Sequence, residues 1–512
     1  MSAGTRLRTL ALIVILSVAF ICLAASVHAA TSGTGTRPNI IVIMTDDQDT
    51  ATMSRLQNVK SLLVDEGITY KTNIVTYSKC CPSRASFITG QYPHNTGVEA
   101  NSLPLGSYAK LDNSNTLPLW LQNYGYYTGH IGKYLNHYGE QDTNLTDDLE
   151  AWQEIPAGYS EWYGTLDPGT YNYYNYSMNE NGRFVQYGND PDDYQTDVLA
   201  AKATDFIRRR ANSTDGKPFF LIVTPLAPHH DTTQPLGPTP SPKYEGRFSY
   251  VSLPKPPGFN EADMSDKPAF MQQLPLLTND NVRDMTTWYQ HRLETLMSVD
   301  DMVGGVVNTL QDTGQLKNTY IIYTSDNGWI QGEHRVIYGK EFAYEPSIRV
   351  PLVIRGPNIT KGRIVKDLVA NIDLAPTIVE LSGATPLKTM DGISLVPLFT
   401  GGELPQRSGV EIECRDIFGP PRGISPRGVS PLGDAEGGME PENGLPTLDF
   451  YAIRTGQYMY VKYTSGDEEL YDLRIDPYEL RSVAADPLYI NIKNNLIADL
   501  NRLKSCSGKS CL

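Results

Sequence analysis

The stretch Asn39-Ile40-Ile41-Val42-Ile43-Met44-Thr45-Asp46-Asp47 decides the fold class. A strand with one wet face alternates polar and apolar side chains, whereas the unbroken run 40–44 is what a strand buried on both faces of a parallel sheet requires. Thr45-Asp46-Asp47 follow where that strand ends. In open α/β sheets ligands bind beyond the carboxyl ends of the strands, so this pair is placed to act. Adjacent carboxylates repel unless a cation lies between them, although an Asp pair taken alone equally suits a solvated turn or a helix cap.

The same grammar recurs downstream. A run at 218–224 leads into Pro225-Leu-Ala-Pro228-His229-His230-Asp231, and a run at 319–324 ends in Ser325-Asp326-Asn327-Gly328. Helical periodicity is expected at 53–67, 196–210 and 288–310, between these strands. The alternation predicts an α/β protein with a large, mostly parallel or mixed sheet sandwiched by helices. Beyond about residue 400 the texture changes. Short alternating runs at 409–413, 449–454 and 458–464, with a helix at 489–503, predict a smaller C-terminal α+β domain carrying an antiparallel sheet. The expected division is a signal peptide at 1–29, a catalytic α/β domain at 30–400 and the antiparallel-sheet subdomain at 401–512. Residues 139–195, rich in Tyr, Asn, Asp and Gly, read as an insertion over the site, and the Pro-rich 232–285 as a long surface excursion.

The chain has 512 residues and a formal net charge of −15. Such an acidic balance argues against nucleic acid or an anionic membrane surface as partner, because phosphates need a basic patch. Arg6 and Arg8, the apolar run 10–25 and Val27-His28-Ala29 read as a secretory signal, with a signal anchor as the rival reading. No later segment is apolar enough to span a bilayer, so no integral span is expected after signal removal. The destination is a secreted, extracellular or periplasm-like compartment, with a cell wall or lysosome-like vacuole as further options. Of the 6 cysteines, Cys22 leaves with the signal. Cys506 and Cys511 can close a terminal loop, Cys81 and Cys414 are the candidate second bridge, and Cys80 is the odd residue. Asn144, Asn175, Asn212 and Asn358 head N-x-S/T sequons, which are glycan acceptors in a secreted protein.

Cys80-Cys81-Pro82-Ser83-Arg84 is the most informative chemistry in the chain. A cysteine followed at once by Pro, Ser and Arg, then by small and apolar residues, reads as a nucleophile at a helix N-terminus. The unpaired N–H groups there and Arg84 favour an anion. The plain alternative is a pair of buried or disulfide-linked thiols on an ordinary helix.

This stretch, continued by Ile88-Thr89-Gly90, resembles the C-x-P-S-R…T-G signature of the type I sulfatases, a formylglycine-dependent family within the alkaline phosphatase superfamily. The resemblance runs over about residues 37–490 and is closest to arylsulfatases and N-acetylglucosamine-6-sulfatases. It implies oxidation of Cys80 to formylglycine (3-oxoalanine) by a formylglycine-generating enzyme during maturation. It also implies one divalent cation, Ca²⁺ or alternatively Mg²⁺, held by Asp46, Asp47, Asp326, Asn327 and residue 80. Four oxygen donors with no soft ligand suit such a hard ion. By the same resemblance Lys133 and Lys340 bind the sulfate group, His229 assists the leaving oxygen, and Arg84 acts beside residue 80. Gly132-Lys133-Tyr134-Leu135-Asn136 departs from the commoner pattern, since Leu135 stands where many sulfatases carry a histidine. His137 and His334 are the candidate replacements, and a metal or plain-loop role for His229-His230-Asp231 is the alternative there.

A sulfate ester presents a hindered anionic sulfur and a poor leaving group, and its cleavage needs a strong nucleophile, charge neutralisation and proton delivery. The expected function is therefore a sulfuric ester hydrolase of arylsulfatase type, with a sulfate-ester substrate, aryl or carbohydrate. The alternatives are an N-acetylglucosamine-6-sulfatase, a phosphohydrolase of the same superfamily, and a non-catalytic binder of sulfated glycans.

Overall fold

In the computed structural model, which describes residues 37–140, 151–415 and 449–512, the run that decides the fold is β1 (Asn39–Thr45), buried along its whole length. Burying each Ile or Val there contributes about 1.5–3 kcal/mol, which is why such a run is found at the centre of a sheet. On one side β1 pairs in parallel with β8 (Thr319–Ser325), and on the other with β7 (Phe219–Thr224). β7 pairs in parallel with β3 (Tyr127–Gly132), and β3 with β4 (Glu161–Thr165).

Antiparallel pairing enters toward both margins of this sheet. β5 (Ser177–Glu180) and β6 (Arg183–Gln186) extend it beyond β4. At the other margin β9 (Leu352–Arg355) pairs antiparallel with both β8 and β2 (Ile68–Ile74), and β10 (Arg363–Ala370) lies parallel to β2. The result is a mixed sheet of 10 strands in the order β10-β2-β9-β8-β1-β7-β3-β4-β5-β6. Helices cover it, the longest being Asn279–Asp312 and Gln195–Ala211. A second, antiparallel sheet has the order β11 (Val410–Cys414), β12 (Phe450–Arg454), β13 (Tyr458–Tyr463), β14 (Glu468–Asp472). With the helix Ile490–Leu503 it forms the α+β unit expected from the texture beyond residue 400.

Several local expectations are corrected. The helix expected at 53–67 is a 3-10 turn, Thr50–Arg55, followed by one π-helical turn, Val59–Val64. Asp300 intervenes, accepting hydrogen bonds from the backbone N–H groups of Asn58 and Val59, each at 2.9 Å. The described part of the Tyr-rich segment is largely ordered structure, because it supplies β4, β5 and β6 to the sheet margin. The excursion 232–285 holds the short helix Ala269–Gln272, supplies from Asn279 the first turns of the long helix expected only at 288–310, and buries Phe248, Val251, Leu253 and Met271.

The disulfide joins Cys506 to Cys511, as expected, while Cys81 and Cys414 remain thiols. The reason is geometric: Cys81, on the Cys80–Thr89 helix, packs into the core of the large sheet, and Cys414 into the core of the small sheet. Asn175, Asn212 and Asn358 are exposed, whereas Asn144 and the expected signal lie outside the described residues. No helix among the described residues is long and apolar enough to cross a membrane.

Candidate active site

Strand register brings the chemistry together. Thr45 pairs with Ser325, and Gly132 with Thr224, so β1, β8, β3 and β7 all finish at one edge. The residues that follow, Asp46-Asp47, Asp326-Asn327, Lys133 and the segment leading to His229, leave the sheet side by side. Adjacent strand residues ordinarily point to opposite faces. Asp47 escapes that alternation through a left-handed backbone, φ +63°, which Asp tolerates better than most residues. Arg292 donates to its carbonyl at 2.9 Å and to Asp49 at 2.7 Å, fixing this turn.

Cys80 is the first residue of the helix Cys80–Thr89, behind an extended Lys79. Ser83 Oγ donates to the Asp326 carbonyl, and Asn371 donates to Ser83 Oγ at 3.1 Å. Arg84 then ties the helix to three strand ends. Its Nε donates to Asp326 at 2.8 Å, its Nη2 to Asp46 at 3.2 Å and its Nη1 to the Lys133 carbonyl at 2.9 Å. From the opposite side, Lys340 Nζ lies 2.7 Å from Asp47 Oδ1 and 2.9 Å from Cys80 Sγ. Lys79 and Glu341 pair at 2.8 Å, locking the Lys340 loop to the helix start.

Three carboxylates and three cations thus share a buried space. Burial favours the neutral acid for Asp46, yet Lys133 at 2.7 Å, with His229, Arg84 and Lys340, holds its carboxyl well below the usual range. Asp47 and Asp326 are shifted upward, first by burial and then by repulsion from Asp46. One oxygen from each of Asp46, Asp47 and Asp326 lies within 4.8 Å of the others. Asp47 Oδ2 and Asn327 Oδ1 are buried acceptors with no hydrogen-bond donor, an arrangement that costs free energy unless something positive faces them. This all-oxygen set with orphaned acceptors fits a hard divalent cation.

His229 donates through Nδ1 to the His230 carbonyl at 2.9 Å, which leaves Nε2 as the proton-accepting atom, 3.7 Å from Asp47 Oδ2. Burial drives this imidazole well below its ordinary range, so it is neutral. Two tyrosines that sequence reasoning did not single out complete the surround. Lys133 Nζ sits 4.4 Å above the Tyr171 ring, and Tyr173 donates to the His229 carbonyl at 2.8 Å. Asn136 donates to the Tyr171 hydroxyl at 2.8 Å. The only sequence signal for them was the tyrosine density of their segment.

Neither candidate replacement for the histidine at Leu135 joins the carboxylate cluster. His137 is held by Glu140 at 2.6 Å and Ser102 at 3.0 Å. His334 pairs with Glu261 at 2.6 Å and packs on Tyr344. Leu135 itself is buried in the core.

The sulfatase family model matches residues 38–384. This chain belongs to the sulfatase family. It is 35% identical over 496 residues to human N-acetylglucosamine-6-sulfatase, a match that covers 93% of this chain and 86% of that protein. It is 33% identical over 540 residues to an arylsulfatase of Volvox carteri, covering 96% and 78% respectively. Among solved structures, one described as a complex with its substrate D-glucosamine-2-N,6-O-disulfate superposes with a TM-score of 0.73 at 23% identity, covering 91% of this chain and 97% of that one. The likeness is one of fold. The protein is a sulfuric ester hydrolase, acting on sulfate esters.

Proposed function

We propose that this sulfatase removes 6-O-sulfate from sugars of the N-acetylglucosamine type, with residue 80 acting as formylglycine and one divalent cation, Ca²⁺ or Mg²⁺, among the carboxylates. The observation that carries the mechanism is the meeting of Cys80 with Asp46 and Lys340 at the start of a buried helix. As a thiol, Cys80 is a poor nucleophile: burial, then the Asp46 charge, push it well above the usual thiol range, whereas nucleophilic cysteines work as thiolates with depressed values. The chemistry that oxidation supplies is a hydrated aldehyde, one hydroxyl being nucleophilic toward sulfur and the second permitting expulsion of sulfate, which a plain Ser or Cys does not offer.

The surrounding side chains then have distinct tasks. Asp46, Asp47, Asp326 and Asn327 would hold the cation together with residue 80, and the cation's charge offsets the repulsion between a sulfate group and these carboxylates. Asp46 Oδ1 lies 3.6 Å from Cys80 Sγ, so its charge faces residue 80 directly. Lys133 and Lys340 gain a second anionic partner when a sulfate enters and so hold its oxygens. Arg84, bound to two carboxylates, aligns them and adds positive field at residue 80. His229 Nε2, unprotonated in the neutral ring, would take up the proton given up by the attacking hydroxyl of residue 80 and return it to the departing oxygen.

The substrate assignment is supported by the N-acetylglucosamine-6-sulfatase relative and by the sulfated glucosamine in the similar structure's description. Aryl sulfates are the second reading, favoured by the Volvox relative. Secretion under the 1–29 signal, maturation by a formylglycine-generating enzyme and the 30–400 and 401–512 division belong to the same proposal.

The test uses protein in which the residue 80 peptide is about 18 Da lighter than the cysteine form, since ordinary cysteine oxidation raises the mass. It is assayed with N-acetylglucosamine-6-sulfate, 4-nitrophenyl sulfate and 4-nitrophenyl phosphate. Sulfate release is expected from the sugar first, then from the aryl ester. Faster turnover of the phosphate would favour a phosphohydrolase, and release from none of them would overturn this substrate assignment.

A further inference from the structure

A second buried acidic cluster lies where the turn after the motif helix meets the small sheet. Glu411 and Glu413 are alternate residues of β11, so both side chains leave the same face. His94 reaches that face with Nδ1 2.6 Å from Glu413 Oε1 and 3.5 Å from Glu411 Oε2. Glu411 is fully buried, and neither of its carboxylate oxygens has a hydrogen-bond donor. A buried carboxylate in that condition needs a proton or a cation.

The imidazole is already oriented as a ligand. Its Nε2 faces the Cys506 carbonyl at 3.1 Å, matching the common arrangement in which a metal-bound histidine gives its other N–H to a backbone oxygen. One ligand atom each from His94, Glu411 and Glu413 lies within 4.8 Å of the others. Around a tetrahedral Zn²⁺, nitrogen and oxygen ligands about 2.0–2.2 Å from the ion sit about 3.4 Å apart. The 3.5 Å separation already suits that shell, and the 2.6 Å pair needs to open by less than about 1 Å.

We propose that His94, Glu411 and Glu413 form a second metal site, taking Zn²⁺ or a similar transition-metal dication and distinct from the all-oxygen cluster at the edge of the large sheet. A mixed nitrogen and oxygen donor set selects this class of ion, whereas Ca²⁺ and Mg²⁺ prefer oxygen alone. Two carboxylates and a dication form a neutral set, as a closed interior requires. The site is a structural clamp. Asn95, next to His94, donates to the Cys506 carbonyl at 2.8 Å and to Asp391 at 2.9 Å, and Gly508 donates to Asp391 at 2.7 Å. An ion at His94 thereby fastens the turn behind the motif helix to β11 and to the disulfide loop at Cys506–Cys511.

The experiment is metal counting on the full-length protein. Chelator-treated protein is dialysed against Zn²⁺ with Ca²⁺ in large excess, cleared of loose metal and analysed by mass spectrometry of the elements. Wild type should retain one Zn²⁺ per chain, Asp326→Asn should retain it too, and Glu411→Gln and His94→Gln should lose it. Wild type without retained Zn²⁺, or equal retention in the Glu411 and His94 variants, overturns the proposal in favour of a proton shared between His94 and Glu413. Should either variant fail to fold, X-ray absorption at the zinc edge of the wild type decides. One imidazole with oxygen-only companions supports the site, and a shell without imidazole overturns it. Failure here leaves the sulfatase reading untouched, because that reading rests on other residues.

Discussion

At the edge of the large sheet, Asp46, Asp47 and Asp326 are answered by full charges on Lys133, Arg84 and Lys340. In the small sheet, the fully buried Glu469 is answered by neutral hydroxyls: Tyr344 at 2.8 Å, Tyr463 at 2.6 Å and Tyr471 at 2.5 Å. Burial, and then the Glu469 charge, push all three tyrosines well above their ordinary range, so they stay protonated donors. The difference teaches how each centre can be used. A lysine paired with a carboxylate can turn to an arriving anion, because both partners are charges. Three hydroxyls converging on one carboxylate have no such freedom and fix geometry instead. The two centres are linked, since Tyr344 lies on the segment that carries Lys340.

The contrast breaks most sharply at residue 80. Cys80→Ser is expected to lower kcat/KM for a sulfate ester by on the order of 10⁴-fold, the loss typical of removing a covalent nucleophile. Steady-state kinetics on folded protein checks it, and a smaller loss would detach the reaction from residue 80. Next, Lys133→Ala or Lys340→Ala should cost about 10²–10³-fold, mainly in kcat, as for other groups that stabilise developing charge. Pure KM effects would instead make these lysines ground-state binders. Prolonged chelation should also abolish turnover, and Ca²⁺ or Mg²⁺ should restore it more effectively than Zn²⁺.

Glu469→Gln sharpens the other half of the comparison. It should destabilise the fold by about 2–3 kcal/mol, the scale of hydrogen bonds to a charged group, read as a lower thermal midpoint. Activity per folded molecule should change far less than at Lys340.

The smallest effect concerns His94 in metal-free protein. Burial lowers its pKa, but the Glu413 hydrogen bond and charge, with Glu411 and the Cys506 carbonyl, raise it to about 9. A histidine raised in the fold contributes stability that is fully present below its unfolded value of about 6.5 and lost as pH rises through about 9. Glu411, also raised by burial and by Glu413, works in the same direction at lower pH, with Lys504 and Asp391 as the nearby charges. The thermal midpoints of wild type and His94→Gln, measured in chelator, should therefore differ most near pH 6 and converge above pH 9.

Much of this was legible in the sequence because the central strands are buried on both faces. Such strands must be apolar throughout, so 40–44 and 319–324 announce themselves, and the acidic residues at their ends stand out against them. The 80–84 motif is similarly dense. The marginal strands β4, β5 and β6 were not legible: Glu161-Trp-Tyr-Gly-Thr has the tyrosine and glycine content of a loop and becomes a strand only because β3 offers it an edge. Tyr171 was hidden with them. The π-helical turn at Val59–Val64 depends on Asp300, a partner 241 positions from Val59, which no local window contains. Parity arithmetic paired Cys81 with Cys414 because counting thiols carries no information about which core each one enters.

Cys80 is only 1% exposed, closed in by the carboxylate edge and the Lys340 loop. An enzyme acting on Cys80 would have to reach its side chain, which the finished fold buries at the start of a helix. On the proposed maturation, oxidation would have to precede closure of the chain, and a molecule that folded first would keep an unmodified thiol at residue 80. Specific activity would report the history of the preparation, and unfolding and refolding alone could not rescue the unmodified fraction.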